Sequence, residues 1–489
     1  MKLYNGYKRL PRNYTLLADE YEHTMSAAQY INGRENEVGV FDVFFRKVPN
    51  GGGYAIMAGL DKVIEYIKNL SFSERELIYF KRAGYNQEFI NYLKNFKFTG
   101  NIYAIPDGTP VFPNEPLITI EAPLIEAQIV ETAILALVNG AMEHATAARR
   151  IIEATPKNVK VLDMGTRRAD GTEAGIDSSL YAIMAGCVGT SNMYAADMVN
   201  MLAKGTMAHS YITSYETELE AFMAYASVYP NNCTLLVDTY DTLRSGVPNA
   251  IKTFQWMKKQ DLPLDNIGIR IDSGDLAYLS KQARKMLDEA GFSQAKICLS
   301  NGLNAETIET LIHQGACFNT LGVGDNISKP SGRMGCVYKL VALKENNEYI
   351  PTIKLSNDTI KIINPDLKNL YRIYDKETSM AIGDVITRHN QTLNNDNMTI
   401  ICLNDNTKMK NINNYYLEKL QKPIFINGEL VYEDLDILEQ QRYCNEQMDL
   451  LYPEYKRTIM PEEYYVDGDY DYVNFKNDLI AKTRKLIKK

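Results

Sequence analysis

Between residues 159 and 343, short β-prone runs alternate with helical text, and this rhythm constrains the fold more than any other feature of the chain. The runs are VKVLDMGTR, TLLVDTYD, NIGIRIDSGD, AKICLSNGL, FNTLGVGD and VYKLVAL, apolar stretches whose ends carry Gly, Asp, Ser, Asn or Arg. Helical text such as SSLYAIMAG, AIKTFQWMKKQ, YLSKQARKMLDEA and AETIETLIHQ lies between them. Strand–helix alternation of this kind gives a parallel sheet or a barrel. In either case chemistry collects at the strand C-terminal ends, where these polar tails fall. The alternation alone leaves open whether the sheet closes on itself.

The flanking regions read differently. Apolar residues recur at three- and four-residue spacing over Tyr14–Tyr30, Gly53–Asn69, Glu74–Phe96 and Leu124–Ala154, which predicts helices. Residues 101–123 carry Pro106, Pro110, Pro113, Pro116 and Pro123 among short alternating runs, which predicts edge strands and turns. Beyond residue 345 the text is rich in Lys, Asn and Tyr, with strand-like pieces at 349–355 and 370–385, and reads as a peripheral domain. YEDLDILEQQRYCNEQMDLL and NDLIAKTRKLIKK predict terminal helices, the last a solvated amphipathic end. A chain of 489 residues exceeds one compact core, so two to four folding units are expected.

A net charge of -8 argues against a non-specific nucleic-acid or anionic-membrane binder, while a local basic pocket for a phosphorylated metabolite stays compatible with it. Seven cysteines form no CxxC pair and read as reduced thiols. The N-terminal text lacks an apolar signal core, and no run approaches a membrane span. A cytoplasmic protein is expected.

The strand ends hold the residues that could do chemistry. In DMGTRRADG a guanidinium at the sheet edge suits a carboxylate or phosphate, or forms a surface ion pair. IRIDSGDL sets Arg270, Asp272 and Asp275 around Ser-Gly, a pattern that can hold Mg2+ beside a polyphosphate or cap the next helix. SNGLN and GVGDN put glycines at two successive strand ends, where backbone N–H groups can cradle a phosphate. VDTYD brings Asp238 and Asp241 to another end, and Asp238 could orient a histidine by accepting its ring N–H. One of only five histidines, His209, sits in GTMAHSYITSYETE among small and hydroxylated residues. Thr213 and Glu216 have capping-box spacing, which predicts a helix start just after it. His23, His144, His313 and His389 read as structural.

Taken together, LLADEYEHTM, FFRKVPNGGGYAIMAGL, DMGTRRADGTEAG, GTSN, GTMAHS, LLVDTYD, IRIDSGDL, LSNGLN, LGVGD and GCVYKLVAL, in this order, make the chain resemble a nicotinate phosphoribosyltransferase of the type II phosphoribosyltransferase group. The resemblance runs from about Tyr14 to Leu343. It implies an irregular α/β barrel beside a second α/β domain built from N-terminal and later chain. On that basis residues 1–125 form an N-terminal segment, 126–343 the barrel with the active site, and 344–489 a C-terminal segment partly completing the N-terminal domain. It also implies transfer of the phosphoribosyl group of 5-phosphoribosyl 1-diphosphate to nicotinate, with ATP as co-substrate, Mg2+, and homodimers that share active sites.

By the same resemblance His209 is the transiently phosphorylated residue, oriented by Asp238. Asp272 joins them in catalysis, and Asp272 and Asp275 lie near Mg2+. Tyr21 stacks on the pyridine ring of the partner's site, with Met164 on the other face where relatives commonly carry Phe. Arg270 and the Thr206 region hold the nicotinate end, Arg167 faces ribose phosphate or nucleotide, and Arg46 reaches pyrophosphate. Gly302, Gly322 and Gly324 offer backbone N–H groups to phosphate, with Asp325 where some relatives have Thr. Ser191, in GTSN, stands where nicotinamide phosphoribosyltransferases carry an aspartate that would repel a carboxylate substrate. A nicotinamide-using enzyme and a catalytically dead phosphoribosyl-binding protein are the alternatives.

Overall fold

A computed structural model describes residues 14–356, 362–391, 393 and 397–487. The first thirteen residues and the last two of KTRKLIKK, on which part of the terminal reading rests, lie outside the described residues.

The alternating region forms a parallel sheet. Its strands lie in the order Lys160–Asp163, Thr320–Val323, Lys296–Ser300, Ile267–Ile271 and Cys233–Leu236. Val161, Leu235, Ile269, Ile297, Leu299 and Leu321 are buried in one core, as expected for parallel strands covered by helices. Two stretches without regular strand structure occupy the gap between the first and second strands in chain order. Residues 188–191 run alongside the first strand, Val188 N–H donating to Val161 O and Ser191 N–H to Asp163 O. Lys204 N–H then donates to Thr190 O, which attaches the segment leading to Thr206 and His209. Around the ring the pieces follow chain order, so the sheet is a barrel with one irregular side.

A seven-stranded sheet lies beside it. Its order is Glu348–Pro351, Val337–Glu345, Val38–Phe44, Ile118–Pro123, Asn101–Ala104, Lys422–Ile426 and Glu429–Leu430, so early and late chain share one sheet. Ile118–Pro123, expected at an edge, is the middle strand. Its only proline is the terminal residue, and Pro106, Pro113 and Pro116 fall in the connections, where no ladder N–H is needed. A six-stranded sheet of later chain includes Lys368–Asp375 and Ala381–Arg388, where the fully buried Arg372 makes a fork with Asp384 at 2.9 and 2.8 Å.

The helices follow the periodicity with breaks that have local causes. The 74–96 pattern splits into Glu74–Arg82 and Gln87–Lys94 around Gly84, whose φ of +85° ends the first. The 53–69 pattern is helical only from Leu60, where the Asp107 carboxylate accepts from the N–H groups of Gly59 and Leu60. The capping box after His209 forms four residues later than expected: Thr217 and Glu220 start helix Glu218–Val228, while His209 itself opens the short helix His209–Thr213. Among the described residues no helix is long and apolar enough to cross a membrane, and all seven cysteines are unpaired.

Candidate active site

The C-terminal ends of the barrel strands converge on one cleft. Arg270, the fourth residue of strand Ile267–Ile271, is its centre. Nε donates to Ser300 Oγ at 2.8 Å, Nη1 to Thr206 Oγ1 at 3.0 Å and Nη2 to Asp272 Oδ1 at 2.9 Å. Ser300 Oγ in turn donates to Asp272 Oδ1, so hydroxyl, guanidinium and carboxylate hold one another. A planar fork fixed at three donors is aimed rather than mobile. Three of the segments singled out in the sequence, GTMAHS, IRIDSGDL and LSNGLN, thus meet through side-chain hydrogen bonds.

His209 stands at the edge of this group. Its Nδ1 is 3.1 Å from Thr239 Oγ1, and its Nε2 is 3.9 Å from both Asp238 Oδ1 and Asp272 Oδ2. At 3.9 Å neither carboxylate makes a hydrogen bond to the ring, so the contact that orients the imidazole is the Thr239 hydroxyl. The Asp238 side chain is 1% exposed, and its Oδ2 accepts from Asp272 N–H and Ser273 Oγ–H while Oδ1 has no hydrogen-bond partner. An orphaned buried carboxylate oxygen is costly, and here it faces the imidazole. The side chain of His209 is 44% exposed, open to a reactant from solvent.

The walls come from three neighbouring strand ends. Met164 follows strand Lys160–Asp163 and lies over Gly322, where a Cβ would meet its sulfur at 2.7 Å. Gly165 is equally constrained, since a Cβ there would come within 2.6 Å of Gly324 O. Met164, Arg167, Arg270, Gly302, Gly322, Gly324 and Asp325 all line the cleft together with Asp272 and Ser300. Gly302, at φ +61°, turns the chain sharply after its strand. Arg168 Nε lies 3.3 Å from Asp325 Oδ1, which leaves the exposed Arg167 as the guanidinium of that pair directed to other partners.

Other expected residues lie outside this cleft. Tyr21, 44% exposed, is on helix Glu20–Ile31 near Glu131; burial, then Glu131, raises its phenol pKa to about 12. Arg46 lines a separate cleft with Asn114 and Lys408, its guanidinium over the Phe44 ring. Asp275 accepts from Tyr278 N–H as the N-cap of helix Leu276–Glu289. Ser191 sits beside the first strand through its backbone. Of the other histidines, His23 is buried against Phe72 and Phe80, which pushes its pKa down to about 4, and His144 Nδ1 meets Ile327 O at 2.9 Å.

Sequence reasoning missed Ser300, Thr239 and Asp163. Ser300 and Thr239 stand inside quoted motifs, and the signal was a hydroxyl next to a strand-end charge, too common to single out alone. For Mg2+, no group of three or more His, Cys, Asp or Glu side chains among the described residues is placed to hold a metal ion by itself. Magnesium needs only one or two carboxylates when phosphates and water supply the remaining oxygens, and the orphaned Asp238 Oδ1 beside Asp272 is a donor set of that kind.

A barrel with its cleft at the strand ends, joined to a sheet shared by early and late chain, is the architecture of the type II phosphoribosyltransferases. A crystal structure of human nicotinic acid phosphoribosyltransferase superposes with a TM-score of 0.83 at 24% identity, covering 94% of this chain and 99% of that one. A Pyrococcus furiosus nicotinate-nucleotide pyrophosphorylase gives 0.71 at 23%, covering 92% and 99%. The models of the nicotinate phosphoribosyltransferase N-terminal domain, family and C-terminal domain match residues 16–139, 159–366 and 367–476. A Bacillus subtilis nicotinate phosphoribosyltransferase is 39% identical over 457 residues, 93% of this chain and 92% of that protein. One from Dictyostelium discoideum is 32% identical, covering 92% and 85%. The chain belongs to the nicotinate phosphoribosyltransferase family.

Proposed function

We infer that this chain transfers the phosphoribosyl group of 5-phosphoribosyl 1-diphosphate to nicotinate, forming nicotinate mononucleotide and pyrophosphate, and that ATP drives the transfer through phosphorylation of His209. The observation that carries this reading is the joined group Arg270–Thr206–Ser300–Asp272 beside His209. The pyridine nitrogen forms a bond to the anomeric carbon as the bond to pyrophosphate breaks. Catalysis of such a step is positioning and charge stabilisation. Arg270 has five N–H donors and commits three to the protein, leaving one on each terminal nitrogen for the nicotinate carboxylate. The thioether of Met164 offers the ring a polarisable face, favourable by about 0.3–1.5 kcal/mol. Turns at Gly302 and Gly322–Gly324 present backbone N–H groups to phosphate.

In the coupling step a nitrogen of His209 takes the terminal phosphoryl group of ATP, and the P–O bond to ADP breaks as the P–N bond forms. Thr239 sets the ring orientation for this step, and Asp238 and Asp272 flank it. When bound, Mg2+ neutralises phosphate charge; Asp272 and Asp238 would hold it, with Asp275 at the next turn. The carboxylates otherwise stabilise the positive charge that develops on the imidazole as the P–N bond forms, and Asp272 keeps the Arg270 fork in place. The exposed Tyr21, absent from the lining of this chain's own cleft, supports a homodimer in which it stacks on the base of the partner's site. The separate position of Arg46 supports the same arrangement.

His209→Ala is expected to abolish ATP hydrolysis and acid-labile protein phosphate while slow uncoupled transfer persists; unchanged ATP turnover would refute the coupling role. The substrate is tested by comparing nicotinate with nicotinamide, with and without ATP. Equal kcat/KM for the two bases would overturn the preference for nicotinate expected of a site with Ser191 in place of a repelling carboxylate.

A further inference from the structure

We propose that Asp163 is a positioning residue that builds the base-binding wall of the cleft from the irregular side of the barrel. The inference rests on the reading of the cleft as a nicotinate site. Asp163 is the last residue of strand Lys160–Asp163 and is fully buried. Its Oδ1 accepts from Gly165 N–H at 3.0 Å, and its Oδ2 from Ser179 Oγ at 2.8 Å and Thr190 Oγ1 at 2.6 Å. Its backbone adds two bonds to the same neighbour, Asp163 N–H to Gly189 O at 3.0 Å and Ser191 N–H to Asp163 O at 2.8 Å. A buried carboxylate with three short donors is held by charge-assisted hydrogen bonds, the strongest kind available to a side chain.

What these bonds join matters more than their number. Gly165 follows Met164, which lies over Gly322 in the cleft. Thr190 precedes Ser191, and its carbonyl receives Lys204 N–H at 2.8 Å, which leads to Thr206, the partner of Arg270. Ser179 belongs to helix Thr172–Met184, packed behind the Thr166–Arg168 turn. On a regular barrel a continuous ladder would set the relation of these segments. Here one bridge, Asp163 to Thr190, with three backbone hydrogen bonds stands where a longer strand pair would be, and the Asp163 carboxylate ties the Gly165 turn and helix Thr172–Met184 to that short pairing. Through it the Met164 wall, the Ser191 corner and the Thr206–Arg270 group are tied to one another, while Gly302 and Gly322–Gly324 give the carboxylate no hydrogen bond.

The effect should therefore fall on the base and spare the phosphoribosyl donor. Thr190→Val removes the donor to Asp163 and the acceptor of Asn192 N–H at nearly constant shape, and Thr190→Ser retains both. Thr190→Val is expected to raise KM for nicotinate by about tenfold or more, with KM for 5-phosphoribosyl 1-diphosphate within about twofold, as loss of one charge-assisted contact acting on one substrate implies. Thr190→Ser should restore wild-type values. Asp163→Asn is expected to act in the same direction and to narrow the preference for nicotinate over nicotinamide. If Thr190→Val lowers Tm with both KM values unchanged, or raises both alike, Asp163 is structural only and the proposal falls. A wild-type protein that transfers to no pyridine carboxylate would instead overturn the nicotinate reading, and the base wall with it.

Discussion

Glu22 shows how one side chain beside a site residue makes the protein sensitive to pH. It is buried in the first turn of helix Glu20–Ile31, next to Tyr21; Oε1 accepts from Thr132 N–H and Oγ1–H, and Oε2 has no partner. Burial raises its pKa to about 7, against the lowering by Thr132 and with a further push from Glu131. A carboxyl whose folded pKa exceeds its unfolded value of about 4.3 stabilises the fold fully below that value and loses the contribution as pH climbs through 7. Glu22→Gln is neutral at every pH. The variant should match wild type in Tm near pH 4, gain on it progressively to pH 7, and hold a constant advantage above. Thermal melts across that range check it; parallel curves would contradict the buried acid. At this scale sequence reading performs unevenly. His209 stood out because histidine is scarce and its surroundings are small and polar. Thr239 and Ser300 did not, because a hydroxyl becomes legible only once its partners, about thirty residues away in the chain, are folded against it.

Among elements, the helix that follows IRIDSGDL separates two roles that its sequence left superimposed. Asp275 caps helix Leu276–Glu289 through Tyr278 N–H, and the same carboxylate is proposed to lie near Mg2+. Asparagine caps as well as aspartate, whereas alanine does not, at a cost of about 1 kcal/mol. Asp275→Ala should lower stability by that amount, and Asp275→Asn should leave it unchanged while raising the Mg2+ concentration for half-maximal activity several-fold. Unaltered Mg2+ dependence in the asparagine variant would leave Asp275 its capping role alone. The elements themselves were largely legible, since five of the six runs of 159–343 map onto parallel strands, while the sixth, VYKLVAL, pairs antiparallel with Val38–Phe44 in the neighbouring sheet. The misreadings were local. T-x-x-E occurs at Thr213 and again at Thr217, and only packing of the His209–Thr213 turn decides that the second one starts the helix. Proline density suggested edge strands at 101–123, but what matters is whether a proline occupies a ladder position, and in Ile118–Pro123 only the last residue is one.

For the whole molecule, the proposed dimer would bring together residues that do not line one chain's cleft. Sequence could not place Tyr21 or Arg46 relative to the cleft, because sheet pairing between residues 38–44, 337–345 and 422–426 sets where the N-terminal segment sits. With that sheet in place, Tyr21 is exposed and absent from the lining of its own chain's cleft, and Leu17 and Met25, four residues to either side of it, are exposed as well. A two-fold dimer would cover such a surface and bring each Tyr21 to the other barrel. Shared sites have a consequence that sites within one chain lack. Tyr21→Ala and His209→Ala are each expected to be defective in coupled turnover. In a heterodimer of the two, the barrel of the Tyr21→Ala chain has an intact His209 and receives Tyr21 from its partner, while the other barrel lacks both. Random assortment makes about half of the dimers mixed, each with one complete site, so co-expression should recover about a quarter of wild-type ATP-coupled activity. If Tyr21 serves the cleft of its own chain, no mixture contains a complete site and co-expression recovers nothing. Measured on co-purified, differently tagged chains, the recovered fraction therefore reads out which protomer's tyrosine meets the base.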